Sequence, residues 1–202
     1  MSISKQELEK IEHLLSSSDK ANVELGLTIL SGFTLEKNGI EWLWNYYQRL
    51  AQIEAINKPK YNLSNILTGM TVSEPTKVSR ILTLLLEKTG KIEKDKIYHH
   101  FIKDSKMTLP RLEFTNFPES IFDFPELETI IWQYGNLESI PPTILNLPNL
   151  KYLDLRHQPL MEIDEKIVEH PSLEEIWIGN ALIITEDIAD SAKFEILIEA
   201  AY

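Results

Sequence analysis

Histidines, carboxylates and hydroxyls are the side chains here that could carry catalysis, because cysteine does not occur in the 202 residues. Its absence removes disulfide scaffolds, thiolate zinc sites and cysteine nucleophiles. The five histidines form no His-Glu-x-x-His motif. His99 and His100 are adjacent on an expected helix, so they point about 100° apart and make a poor metal pair. His170 stands in an otherwise apolar column, which suits a partly buried structural histidine. The seven glycines never fall in a Rossmann or P-loop pattern, and no Gly-x-Ser-x-Gly elbow is present. No catalytic residue, metal or cofactor is expected.

Carboxylates are plentiful, among them Asp154, Asp164, Glu165, Glu174 and Glu175. Acid–base work needs a pocket and opposed environments. Neither is indicated, and a solvated acidic face accounts for them. Net charge is −11 overall, but residues 1–103 carry +2 and residues 104–202 carry −13. The acidic half should repel nucleic acid and anionic membranes. Lys77 to Lys103 is locally basic, yet Glu87, Glu93 and Asp95 interrupt it. Neither a nucleic-acid partner nor a membrane is expected.

The elements that position these groups show in a repeat. From Asp104, Leu127, Leu150 and Leu173, steps of 23 residues align Met107, Ile130, Leu153 and Ile176. Leu109, Trp132, Leu155 and Ile178 form the next apolar column. Further columns hold Phe114, Leu137, Leu160; Phe117, Ile140, Ile163; and Ile121, Ile144, Ile167. Phe124, Leu147 and His170 are each followed by proline. Alternating apolar positions predict short strands with one face buried, stacked into a parallel sheet. The stretches Leu127-Glu-Thr-Ile-Ile-Trp132 and Leu150-Lys-Tyr-Leu-Asp-Leu155 resemble the strand motif of the leucine-rich repeat family, over about residues 104–184.

That resemblance implies a solenoid that recognises partners on its concave strand face. The family usually places asparagine after the strand, where its amide bonds the turning backbone. Here that column reads Leu112, Gly135, Gln158 and Ala181, and the neighbouring Asn136 and Asn180 are candidates to substitute. Residues between the buried positions should face solvent. They include Ile131, Tyr152, Asp154, Arg156, Glu175 and Trp177, with Tyr134 and His157 just beyond. Tyr, Trp and Arg are the types enriched at binding hot spots. These eight residues are the candidate site for a protein or peptide partner.

Residues 1–103 read as an α-helical domain. Ser4-Lys-Gln-Glu7 is a capping box, and Leu8, Ile11, Leu14 and Leu15 follow at helical spacing. Further helices are expected over about 23–30, 40–56, from Pro75, and 94–103, with a loop over 57–73. Residues 185–202 are expected to close the stack as a helix, with Ile188, Ala192, Ile196 and Leu197 inward. The fold class is α/β: a short solenoid of parallel strands behind a helical domain, closed by a C-terminal helix. The polar start Met1-Ser2-Ile3-Ser4-Lys5 has no apolar signal core, so the expected setting is the cytoplasm; a bacterial source is expected as well. The expected role is non-catalytic binding by a monomer or weak homodimer. The alternatives are an enzyme with its site at the helical/repeat junction, near Tyr98–Arg111, and a self-associating protein that buries Trp177 and Ile131.

Overall fold

Ser4 opens the first helix as its spacing directs. Its hydroxyl accepts from the Glu7 amide at 3.3 Å, and the Glu7 carboxylate accepts from the Ser4 amide at 2.7 Å. This reciprocal pair satisfies two amide donors that the helix leaves over. The computed structural model describes residues 3–57, 77–179 and 184–199. Helices α1 (Lys5–Leu15), α2 (Lys20–Gly32), α3 (Lys37–Asn57), α4 (Lys77–Lys88) and α5 (Lys91–His99) come first in the chain. The expected helix start at Pro75 and nearly all of the loop expected over 57–73 lie outside the described residues.

The aromatic stripe of α3 turns inward at Tyr46 and Tyr47, both buried beside Leu43 and Ala51. Helix α4 is buried almost all round, Ser79 and Thr83 included. That pattern marks a helix enclosed on every side. Thr83 Oγ1 donates to the Ser79 carbonyl at 3.0 Å and accepts from the Glu113 amide at 3.0 Å. Arg80 pairs with Glu24 on α2 and lies 3.6 Å from Glu113. One apolar cluster therefore runs from the helices into the strands, through Leu85, Tyr98, Phe101 and Met107.

The strands are β1 (Ile102–Lys103), β2 (Lys106–Thr108), β3 (Thr129–Ile131), β4 (Ser139–Ile140), β5 (Tyr152–Leu155), β6 (Glu162–Ile163), β7 (Glu175–Ile178) and β8 (Glu195–Ile198). They form an open six-stranded sheet, β1-β2-β3-β5-β7-β8, and a two-stranded one, β4-β6. The chain is thus an α/β protein whose main sheet is mixed and mostly parallel. Among the described strands, only β1 runs antiparallel, against β2. Asp104 and Ser105 join them with φ of 51° and 58°, the left-handed geometry that a two-residue hairpin needs. The sheet thus begins at Ile102, inside the stretch expected as a final helix; α5 stops at His99.

Parallel pairing follows the 23-residue register. Met107 lies beside Ile130, Ile130 beside Leu153, and Leu153 beside Ile176, each 0% exposed. Between strands the chain returns through short 3-10 turns at Glu119–Asp123, Pro142–Asn146 and Glu165–Glu169. The same backbone bonds recur in each. Ile121, Ile144 and Ile167 donate to Pro118, Pro141 and Asp164, and Phe124, Leu147 and His170 donate back to those isoleucines.

The C-terminal segment corrects the expectation of a closing helix over 185–202. Helix α6 covers only Glu186–Ser191, capped by Thr185, and Glu195–Ile198 is then strand β8, parallel to β7. Ile188, Ala192 and Ile196 do share helical spacing. The run Phe194-Glu-Ile-Leu-Ile198 nevertheless favours a strand, and β7 offers it a row of backbone partners. Ile188 is buried and Ile196 half-buried, whereas Leu197 takes the opposite face. The register also shortens, since Ile176 faces Ile196.

His170 is buried in its apolar column. Its Nδ1 accepts from the Leu173 amide at 3.1 Å. Its Nε2 is buried with no hydrogen-bond partner among the described residues. Burial holds the imidazole below its usual value of 6.5. The unfolded chain therefore takes up this proton first as pH falls. Stability is full above about pH 6.5 and drops below it, by at most about 1.4 kcal/mol per pH unit for one proton. Urea midpoints between pH 7 and 5 should fall less in His170→Phe, which removes this contribution; parallel curves for both proteins would refute the assignment.

Candidate binding face

Period-two alternation places two rows of side chains on the face of the main sheet opposite the core. One row aligns Thr108, Ile131, Asp154, Trp177 and Leu197; the other aligns Lys106, Thr129, Tyr152, Glu175 and Glu195. All eight candidate residues lie on this face or just past its strand ends. Ile131 and Trp177 are half-buried, and Tyr152 is 37% exposed.

Five of the polar groups on this face form one chain of contacts. Arg156 Nε and Nη2 donate to the two Asp154 oxygens at 2.9 and 2.7 Å, a bidentate pair. Gln133 Nε2 donates to the same carboxylate at 2.5 Å. The carboxylate holds the guanidinium 5.0 Å above the Trp177 ring, within cation–π range. Trp177 Nε1 in turn donates to Glu175 Oε2 at 2.9 Å. The Asp154 hydrogen bonds, more than any other interaction, raise the Arg156 pKa and keep it charged. Arg156 is therefore held in place, with its fork occupied and its side chain still 31% exposed.

Tyr134 and His157 make a second cluster. Their rings stack at 4.0 Å and 12°, and His157 Nε2 lies 3.2 Å from Glu199. Both residues adopt positive φ, 56° and 60°, a conformation costly for bulky side chains. Tyr152 stands apart from both clusters. Its hydroxyl donates to Glu174 at 2.8 Å, and that bond raises the phenol pKa. Lys151 and Glu128 pair beside it at 2.9 Å. Gln133, Glu174 and Glu199 bond to candidate residues although none of them was among the eight. Gln133 could have been found one repeat before Arg156; Glu199 could not, because its approach depends on β8.

At the strand ends, Gln158 does the work expected of Asn136 or Asn180. It is buried, accepts from the Leu137 amide at 2.9 Å and donates to the Trp132 carbonyl at 2.6 Å. Asn180 lies outside the described residues.

The junction between helices and strands holds a groove of about 710 Å³, bordered by Glu87, Lys94, Tyr98, Phe114, Glu119 and Phe122. Burial pushes the Tyr98 phenol up to about 12, with the Ser120 hydroxyl facing it. It is a neutral group at physiological pH, able to bond but not to act as a base. His99 stands edge-on to Phe124 and His100 lies on Trp44, so the two rings diverge. Among the described residues, no group of three or more His, Asp or Glu is placed to hold a metal, and no helix is long and apolar enough to cross a membrane.

No protein-family model matches this chain, and no curated protein matches it.

Proposed function

We propose that the chain is a short leucine-rich repeat solenoid behind a helical module, and that it serves as a non-catalytic, cytoplasmic module that binds a protein or peptide through the outer face of its strands. The observation that carries this reading is the Arg156–Trp177 pair, fixed by Asp154 and Gln133 on the same face as the exposed Tyr152. Ordering these side chains in advance removes much of the entropy cost of binding. Their types are those that dominate measured interfaces. The same rings could pack only on their neighbours, but that use would not require a guanidinium held on the tryptophan's face.

The test is a crosslinking capture from lysate of the source organism, comparing wild type with the Tyr152→Ala/Trp177→Ala variant after circular dichroism shows both folded. Wild type should capture a protein that the variant loses, and loss of a single anchor should weaken binding by about 2 kcal/mol or more, roughly 30-fold. Equal capture by both proteins would remove the strand face from consideration.

A further inference from the structure

The groove at the junction is bordered by residues of α4 and α5 and of the 3-10 turns Glu119–Asp123 and Pro142–Asn146. Its volume of about 710 Å³ suits a small molecule. Tyr98 borders it and is 0% exposed, and Ser120 borders it next to Glu119. Both hydroxyl oxygens are buried, and neither has a hydrogen-bond partner among the described residues. A buried hydroxyl without a partner costs the fold its lost hydration. Two of them at one groove mark a place where a ligand's polar group would be bonded. The apolar part of the lining is held in place from behind. Phe114 stands edge-on to Trp132, and Phe122 stacks on Phe117. Both Phe114 and Phe122 stay half-buried where they border the groove.

We propose that this groove binds a small organic cation, a primary ammonium on an aromatic body, at the Tyr98 and Ser120 hydroxyls. The charge of the lining selects the sign. Glu87, Glu119 and Asp123 border the groove, against Lys94 as the one base among the described lining residues. Neither Glu87 nor Glu119 is paired with a base among the described residues. An ammonium has three donors and no acceptor, so it can serve both hydroxyl oxygens and one carboxylate together. An anionic ligand would add a further like charge, and a neutral one would leave the carboxylates uncompensated. The Tyr98 phenol stays protonated at neutral pH, so its oxygen accepts from the ammonium and is no rival cation or anion. The aromatic body then lies on Phe114 and Phe122, whose faces also attract a cation. This site is separate from the strand face and does not depend on the reading of that face.

Ligand-observed NMR titration of the full chain with phenethylamine, phenethyl alcohol and phenylacetate tests the sign of the ligand on one aromatic body. The amine should saturate in the millimolar range or below, and bind at least about tenfold more tightly than the alcohol or the acid. Tyr98→Phe keeps the ring, removes the hydroxyl and should weaken the amine about tenfold. Glu87→Gln should weaken it about threefold, and Lys94→Gln should strengthen it about threefold. Tyr152→Ala/Trp177→Ala, which alters the strand face, should leave it unchanged. Ser120→Ala should also weaken the amine, and it carries the test if Tyr98→Phe loses its fold. An absence of saturable amine binding, equal binding of the alcohol or the acid, or amine binding that is lost only in Tyr152→Ala/Trp177→Ala would each overturn the proposal. So would binding that Ser120→Ala and a folded Tyr98→Phe both leave intact.

Discussion

Gln158→Leu should lower the unfolding free energy by about 3 kcal/mol, although the substitution keeps nearly the same shape. The glutamine amide closes two bonds that nothing else supplies. It accepts from Leu137 N–H and donates to the Trp132 carbonyl, and both of those residues are 0% exposed. A buried backbone group left unpaired costs about 1–3 kcal/mol, and here there are two. The site is also built around this side chain. A Cβ at Gly135 would stand 2.6 Å from both Gln158 amide atoms, so the glycine exists to let the amide approach the turn. Urea unfolding followed by tryptophan fluorescence measures the loss; a change below about 1 kcal/mol would mean that water satisfies both groups. Gln158→Glu separates the two bonds. Its carboxylate keeps the acceptor but turns a negative oxygen toward the Trp132 carbonyl, so this variant should regain stability on acidification, when the carboxyl can donate.

The repeat was legible because burial enforces it. Each strand exposes one face, so positions such as Met107, Ile130, Leu153 and Ile176 must be apolar, and one constant step aligns them. The rows of outward residues followed from the same alternation, which is why all eight candidate residues fall on one face or at its ends. What periodicity could not show was how they connect. Whether Arg156 reaches Asp154, Trp177 or solvent depends on rotamers, and the sequence pattern is silent about them. Strand β8 was missed because its row is shorter than 23 residues, since Ile176 meets Ile196, and because Ile188, Ala192 and Ile196 mimic helical spacing. Gln158 was passed over in favour of the nearby asparagines. Its longer side chain reaches the same kind of backbone groups only because Gly135 clears the way, a compensation that successive rows of one repeat column must make together. The docking of the helices had no periodic signal at all: Thr83 meeting the Glu113 amide is a single contact between distant segments.

Trp132→Ala should cost about 4 kcal/mol, because this ring is the largest of the fully buried side chains and packs on two phenylalanines of the preceding row. Trp132 is 0% exposed and stands where the neighbouring rows have Leu109, Leu155 and Ile178. Its extra volume is taken up edge-on by Phe117 at 5.4 Å and by Phe114 at 6.4 Å. No single rotamer change in those rings can refill a cavity of indole size, so the loss should lie in the upper range for aromatic deletions. Trp132→Phe discriminates between volume and polarity. The indole N–H has no hydrogen-bond partner among the described residues, so phenylalanine discards a buried donor that contributes nothing and should retain most of the stability, losing about 1–2 kcal/mol through the smaller ring. If Phe proves as damaging as Ala, the N–H matters and a water or a shifted carbonyl must serve it. The two sites should also couple. Trp132 presents the carbonyl that Gln158 holds, so a ring that settles into a different position moves that carbonyl. Trp132→Ala combined with Gln158→Leu should therefore cost less than the sum of the separate changes, by about 1 kcal/mol. Strict additivity would mean that the turn and the aromatic core fold as independent units, and that the strand face in front of them is held by the sheet alone.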